Sequence, residues 1–274
     1  METLAADRIS AAGRRGSSRP IIAETSGGAR FVKLRGAGQG TGALVAEVIV
    51  AALAETLGLF VPPRSLIVLR AGIDVADWDD ELADLLGASI GVNLGFDFLN
   101  GARDFVPADA ARVPASTRAA IFWLDRFVMN PDRTTQNPNL LWWLDHLWLI
   151  DHGASLGFQY AWERVTESSP RDPRLSRDAH VFEAGLSPDD VAAADAAFAP
   201  LVTREVLTSV VAAVDETFLV PLVRGATGAT GAIEAMHEEQ SIARRRAAYV
   251  AYLWKRVQSP RSFLELRAGL ATGP

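Results

Sequence analysis

The sequence predicts an α+β fold of two lobes, strand-rich first and helical second, around a shared cleft. Three observations carry this. The chain has 274 residues, room for one large domain or for two lobes. Before residue 100 it is mostly short apolar or alternating runs punctuated by Gly and Pro, and beyond residue 160 it is mostly Ala- and Leu-rich segments with helical spacing. The composition, 49% hydrophobic and 22% charged, fits a globular chain with a substantial core.

The elements follow in order. Residues 1–18 are polar, end in "GRRGSS" and read as a flexible arm. "PIIAETSGGARFVKLRG" reads as two strands about a Gly-Gly turn. "ALVAEVIVAALAETLGL" (43–59) is a helix, stopped by Gly58 and the Pro62-Pro63 pair. "RSLIVL" is a third strand, "DVADWDDELADLLGAS" a short acidic amphipathic helix, and "IGVNLGF" a fourth strand. "NGARDFVPADAARVP" is loop, and "ASTRAAIFWLDRFVM" (115–129) is a helix with its apolar residues toward the core. "LLWW" and "LWLIDHG" are two strands about a turn at Asp145-His146, with Trp142, Trp143 and Trp148 packing the hairpin. "ESSPRDPRLSRD" is a polar loop. Three helices follow, in "SPDDVAAADAAFAPLV", "TREVLTSVVAAVDETFL" and "GAIEAMHEEQSIARRRAAYVAYLWKRVQSP", the first opened by a capping box of Ser187 and Asp190. "RGATGATGA" (224–232) is a flexible link. The first lobe is then 19–95 and the second 96–274, with the cleft between them.

Composition excludes several classes of function. The net charge of −6 argues against a general nucleic-acid binder, and the "RRRAAYVAYLWKR" cluster reads first as a helix with an apolar face. With no cysteine there is no disulfide, thiolate zinc site or cysteine nucleophile. His146, His152, His180 and His237 show no H-x-x-x-H spacing. No apolar run reaches the length of a membrane span and no leader is visible, so the reading is a soluble cytoplasmic protein with no membrane partner.

Three motifs compete for the chemistry. "GAGQGTGA" (36–43) contains G-x-G-x-x-A, the dinucleotide pattern. The strand before it alternates charged and apolar residues, whereas a dinucleotide fold begins on a strand buried on both faces. The next strand ends at Arg70, where an acid would be needed to hold a ribose. "GASLG" (153–157) matches G-x-S-x-G, a nucleophile elbow, but the βαβ units that present such a serine are missing around it. The third candidate is centred on "NPDRTTQNPNLL" (130–141), which sets a carboxylate, a guanidinium and carboxamides between two apolar runs. Asp132 precedes Asn137 by five residues, and Asp151 follows the strand hairpin; Lys33 lies on an early strand and Glu47 in the next helix. Phosphoryl transfer from ATP needs such a set. One carboxylate orients the attacking hydroxyl, an amide oxygen and a second carboxylate hold Mg²⁺, a lysine neutralises phosphate, and a glutamate fixes the lysine. Each residue alone has a bland reading, Lys33 as a solvated strand residue and Asp132 and Asn137 as turn caps. Their order and spacing together favour the phosphoryl-transfer set.

With these residues the chain resembles the HipA-like kinases, in the compact branch without the extra N-terminal region. More distantly it is similar to phosphatidylinositol 3-/4-kinases, which also carry D-R after an Asn-x. The matching segments are "FVKLRGAGQGTGALVAEVIVAALAETLGLFVPP" (31–63), "GVNLGFDFLNGA" (91–102), "FWLDRFVMNPDRTTQNPNLLWWLDHLWLIDHGASLGF" (122–158) and "RRRAAYVAYL" (244–253). The resemblance implies a bilobal protein kinase-like fold, ATP and Mg²⁺, and phosphoryl transfer to a hydroxyl, most simply a protein Ser or Thr. The same ATP site would also suit a small-molecule kinase, an AMP-transferring enzyme or a non-catalytic nucleotide-binding regulator. The resemblance further implies roles: Asp132 the catalytic carboxylate, Asn137 and Asp151 the metal ligands, Lys33 on the α/β-phosphates, and Glu47 paired with it. Gly38, Gln39 and Gly40, with Gly36 and Gly42, would cover the phosphates. The chain around Phe96 and Phe98 would be the hinge that reads adenine, and Arg133 would brace the loop or meet phosphate. Two residues depart from pattern: His152 stands where a protein kinase has the Phe of D-F-G, and Thr134 where HipA-type chains often have His. No activation segment ending in A-P-E is present, so the acceptor is not readable from kinase rules, and the oligomeric state stays open.

Overall fold

The period-two pattern of "GARFVKL" gives its strand two different faces, and the rest of the first lobe is built on them. In the computed structural model, which describes residues 1–12, 19–76, 79–173, 179–224 and 232–267, this strand is β4 (Gly28–Lys33). The "GRRGSS", "RLSRD" and "GATGATG" stretches lie outside the described residues. β4 pairs with β3 (Ile21–Thr25) on one side and β7 (Gly91–Asp97) on the other. With β1 (Glu2–Ala5), β2 (Arg8–Ala12), β5 (Arg64–Leu69) and β6 (Asp74–Val75) they make a seven-stranded sheet, ordered β1-β5-β7-β4-β3-β2-β6. One face buries Val32, Leu34, Ile67 and Leu69 with Leu82 and Leu86 of α2 (Asp80–Ala88). The other turns Leu66, Leu94 and Phe96 into the larger core together with α1 (Thr41–Thr56). Lys33, between Val32 and Leu34, therefore points to the α1 side.

Residues 1–12 differ from the expected flexible arm. β1 runs parallel to β5 and β2 antiparallel to β3, and Leu4, Ala6 and Ile9 are buried. Runs this short, half polar in composition, carry too little periodicity to stand out, and it is the neighbouring strands that fix them.

The second lobe opens with a three-stranded sheet ordered β10-β9-β8, from β8 (Arg103–Asp104), β9 (Leu140–Trp143) and β10 (His146–Leu149). β8 and a short 3-10 turn over Pro107–Arg112 occupy the stretch expected as loop. The β9–β10 turn falls on Leu144-Asp145, one residue earlier than expected, and both residues have positive φ, 48° and 60°. That is the hand that matches strand twist in a two-residue hairpin. Beneath lies α3 (Ala115–Phe127), with Phe122, Trp123 and Phe127 wholly buried. The remaining helices are α4 (Pro188–Phe198), α5 (Arg204–Ala212), α6 (Glu216–Arg224) and α7 (Ala232–Val257). The expected single helix over 203–219 breaks into α5 and α6 at Asp215. Its carboxylate accepts the Thr217 N–H at 2.9 Å and hydroxyl at 2.6 Å, and so caps a new start. Among the described residues no helix is long and apolar enough to cross a membrane.

α1 joins the two lobes. It packs against α5 and α6 as well as the sheet, and most of its circumference is buried. Arg35, just before it, donates to the Thr217 carbonyl at 3.3 Å. Replacing the wholly buried Ile49 by Ala should cost about 2–5 kcal/mol of stability, read as a lowered urea midpoint at unchanged m-value.

Candidate active site

Lys33 ends β4 opposite Leu94, and its side chain crosses to α1. Its ammonium donates to Oε1 of Glu47 and, at 2.5 Å, to Oδ1 of Asp151. Glu47 has no solvent exposure, and Lys33 is buried. Burial opposes charge on Lys33, but the two carboxylates outweigh it and hold its pKa above the ordinary lysine value. Burial also pushes Asp151 up, yet Lys33 overrides it and the net direction is down. At Glu47 burial prevails over the pull of Lys33 and raises the carboxyl above the usual range.

Asp151 follows β10 in a left-handed conformation, φ 56°, which is uncommon for a non-glycine residue and places its carboxylate in the cleft beside Lys33. Gly153 lets this segment lie on α1: a Cβ there would stand 3.3 Å from Cβ of Ala43 and 3.4 Å from Oε1 of Glu47. His152, the departure from the protein-kinase pattern, is buried, and its Nδ1 lies 3.2 Å from Nη2 of Arg133. Burial first, then Arg133, push its pKa down to about 3, so the ring is neutral and Nδ1 accepts from the guanidinium.

The loop between α3 and β9 brings the next group. Asn130 accepts the Asp132 N–H at 3.0 Å and donates to Oδ1 of Asp125 at 2.8 Å, which fixes the turn before the half-buried Asp132. The amide that reaches Asp132 is that of Asn139, whose Nδ2 donates to Oδ2 at 3.2 Å. Asn139 also adjoins the Asp151 strand, since its carbonyl accepts the Ile150 N–H at 3.1 Å. Asn137 shapes the loop through its main chain, exchanging bonds with Thr134, and its side chain is exposed. Five-residue spacing pointed to Asn137; the second Asn of "NPN" was the signal for the residue nearer the site. Arg133 does not face phosphate. It is 1% exposed, with Nε on Asp125 at 2.6 Å and Nη1 among the carbonyls of Pro138, Asn139 and Ile150, so it braces the loop.

The remaining expected residues divide. Gly38 and Gly40 take positive φ, 50° and 65°, in tight turns leading into α1, and Gln39 is exposed at the tip. Thr41, unmarked in the sequence reading, has a buried hydroxyl with no hydrogen-bond partner at the first turn of α1, where a phosphate oxygen would satisfy it. Phe96 is buried in the larger core, so only its backbone can belong to a hinge, whereas Phe98 is 45% exposed at the crossing between lobes. The dinucleotide reading fails on topology, because β4 has antiparallel neighbours on both sides. The nucleophile reading fails on access: Ser155 is wholly buried, and its hydroxyl meets no histidine among the described residues.

No group of three His, Cys, Asp or Glu among the described residues could hold a metal by itself. Mg²⁺ does not need one, since it binds through one or two carboxylates together with phosphate oxygens and water. Asp151, Asp132 and Asn139 provide that kind of oxygen set, and the orphaned Thr41 hydroxyl fits a phosphate. The buried histidines give a pH prediction. His152 and His180 both have pKa values below the ordinary 6.5, burial being the first cause, so the unfolded chain binds protons that the native one refuses. Their contribution is present above pH 6.5 and is lost as pH falls, for His152 down to about 3. The thermal midpoint should drop below pH 6.5, with a shallower slope in His152→Gln.

A model of the HipA-like kinase family matches residues 7–169. No curated protein matches the chain. Among solved structures, the Helicobacter pylori proinflammatory kinase CtkA aligns over 91% of this chain and 97% of its own, at 11% sequence identity and a TM-score of 0.49. The family match covers more than half of the chain and takes in the elements from β2 to Asp151 and beyond. This chain is therefore a phosphotransferase that belongs to the HipA-like kinase family.

Proposed function

We propose that this kinase moves the γ-phosphoryl group of ATP to a hydroxyl, that of Ser or Thr in a protein, with Mg²⁺ as cofactor. The observation that carries the reading is the ammonium of Lys33 shared by Glu47 and Asp151, with the Asp132–Asn139 pair in the adjoining loop before β9. In the transfer, a bond forms between the acceptor oxygen and the γ-phosphorus while the bond to the β-phosphate oxygen breaks, and the pair of electrons leaves with ADP. Asp132 accepts the proton of the attacking hydroxyl. Lys33, held by Glu47, binds the α/β-phosphates, and the Gly38–Gly40 loop with Gln39 and Thr41 covers them. Asp151 and Asn139 would hold the metal, Asn139 taking the part that the resemblance gave to Asn137. Bound Mg²⁺ would supply neutralisation of phosphate charge during the transfer. Backbone groups near Phe98 read the adenine. The choice of a protein acceptor over a small molecule comes from the resemblance to HipA-like kinases, and the helical lobe is read as the acceptor side.

The test is purified protein with Mg²⁺ and γ-labelled ATP, followed by intact mass. Gain of one phosphate is the expected product; gain of AMP would move the reading to nucleotidyl transfer, and binding without turnover to a regulator. Asp132→Ala and Asp151→Asn should each lower transfer by about 100-fold or more, while ATP-dependent thermal stabilisation survives in Asp132→Ala. Asn139→Ala should lower transfer by about 10- to 100-fold, and Asn137→Ala by no more than about threefold. The reverse ranking would return the metal ligand to Asn137.

A further inference from the structure

Arg133 holds the loop, and something must hold Arg133. Oδ2 of Asp125, on α3, accepts from its Nε at 2.6 Å. The same oxygen lies 3.0 Å from Nε2 of His180, 55 positions further along. The tautomer is fixed by the other ring nitrogen: Nδ1 lies 3.2 Å from the Phe182 N and accepts its hydrogen, so Nε2 carries the proton and donates. Asp125 thus accepts from Asn130, Arg133 and His180, and His180 is buried with it. The segment bearing His180 is also stitched to the loop by its backbone, through a bridge to Thr134 and a 3.1 Å bond from the Val181 N–H to the Arg133 carbonyl. Its far end is anchored by Glu183, which accepts from the His180 N–H at 3.3 Å and from Nη2 of Arg126 at 3.0 Å.

We infer that His180 and Asp125 are positioning residues for the metal-facing groups, acting through Arg133. The inference rests on the kinase reading above. The carbonyls that Arg133 gathers belong to Pro138, Asn139 and Ile150. The second is the backbone of the amide beside Asp132, and the third directly precedes Asp151. The guanidinium therefore fixes the spacing between Asn139 and Asp151. Without the His180 donor, Asp125 can turn toward Asn130, Arg133 follows it, and the two metal-facing side chains lose their common reference. Lys33, Glu47 and the glycine loop make no hydrogen bond to Asp125, Arg133 or His180, and the Lys33–Glu47 pair is carried by β4 and α1, so nucleotide binding without metal is spared.

The experiment measures thermal stabilisation of the full chain by ATP, in EDTA and across a Mg²⁺ titration, alongside turnover. His180→Ala should raise the Mg²⁺ concentration at half-maximal stabilisation by about tenfold or more, with stabilisation by ATP in EDTA unchanged. His180→Gln can both donate to Asp125 and accept from Phe182, and should stay within about twofold of wild type. His180→Leu fills the space without a donor; it should raise the Mg²⁺ midpoint by a similar factor and takes the place of Ala if the smaller side chain prevents folding. A Mg²⁺ midpoint unmoved in Ala and Leu overturns the inference, as does an equal loss of stabilisation in EDTA, which would mean general loosening. A wild-type chain that ATP fails to stabilise in either condition would sink the kinase reading itself, and this inference with it.

Discussion

One ammonium group is shared by three segments that lie far apart in the chain. Lys33 comes from the sheet, Glu47 from the helix that joins the lobes, and Asp151 from the end of a hairpin in the second lobe. A buried ammonium with a single carboxylate would be a poor arrangement, because removing both ions from water costs more than one contact returns. A second carboxylate, still partly open to solvent, tips the balance and keeps the lysine charged. The rest of the site is arranged around this meeting: the glycine segment leads directly into α1, which carries Glu47, and Asn139, which donates to Asp132, is held beside Asp151 by the pairing of β9 with β10 and the bond of its carbonyl to Ile150.

A second buried cation works at right angles to the first. Arg133 makes no contact with the cleft groups that would meet nucleotide; its donors are spent on backbone carbonyls, on Asp125 and on His152. A planar guanidinium can serve several acceptors in fixed directions, which an ammonium on a flexible stem cannot do. The division is physical. The lysine is placed where a ligand can exchange for a carboxylate, and the arginine where nothing is to move.

Much of this was legible in the sequence because it is local. Lys33 is found by the alternation of its strand, Glu47 by the helix that follows a glycine segment, and Asp132 and Asp151 by the apolar runs that bracket them. The two-lobe order was visible for the same reason. What was not legible is tertiary. Asn137 and Asn139 differ by two positions in one loop, and only the pairing of β9 with β10 decides which amide turns inward. Asp125 reads as one more polar position in an amphipathic helix, and His180 lies in a polar stretch with no motif, so neither has a signal without the fold. β1 and β2 failed for lack of length, since strands of four and five residues take their identity from the strand beside them.

α1 has consequences for control. It carries Glu47, yet the sheet lies along one side and α5 and α6 along another, and Ile49 and Leu53 are wholly enclosed. Swinging Glu47 away from Lys33 would uncover these side chains at a cost of several kcal/mol, a large part of a domain's whole stability. The helix is a keystone and not a lever. A kinase so built keeps its Lys33–Glu47 pair assembled at rest and is governed by what enters the cleft more readily than by a stroke of its own framework.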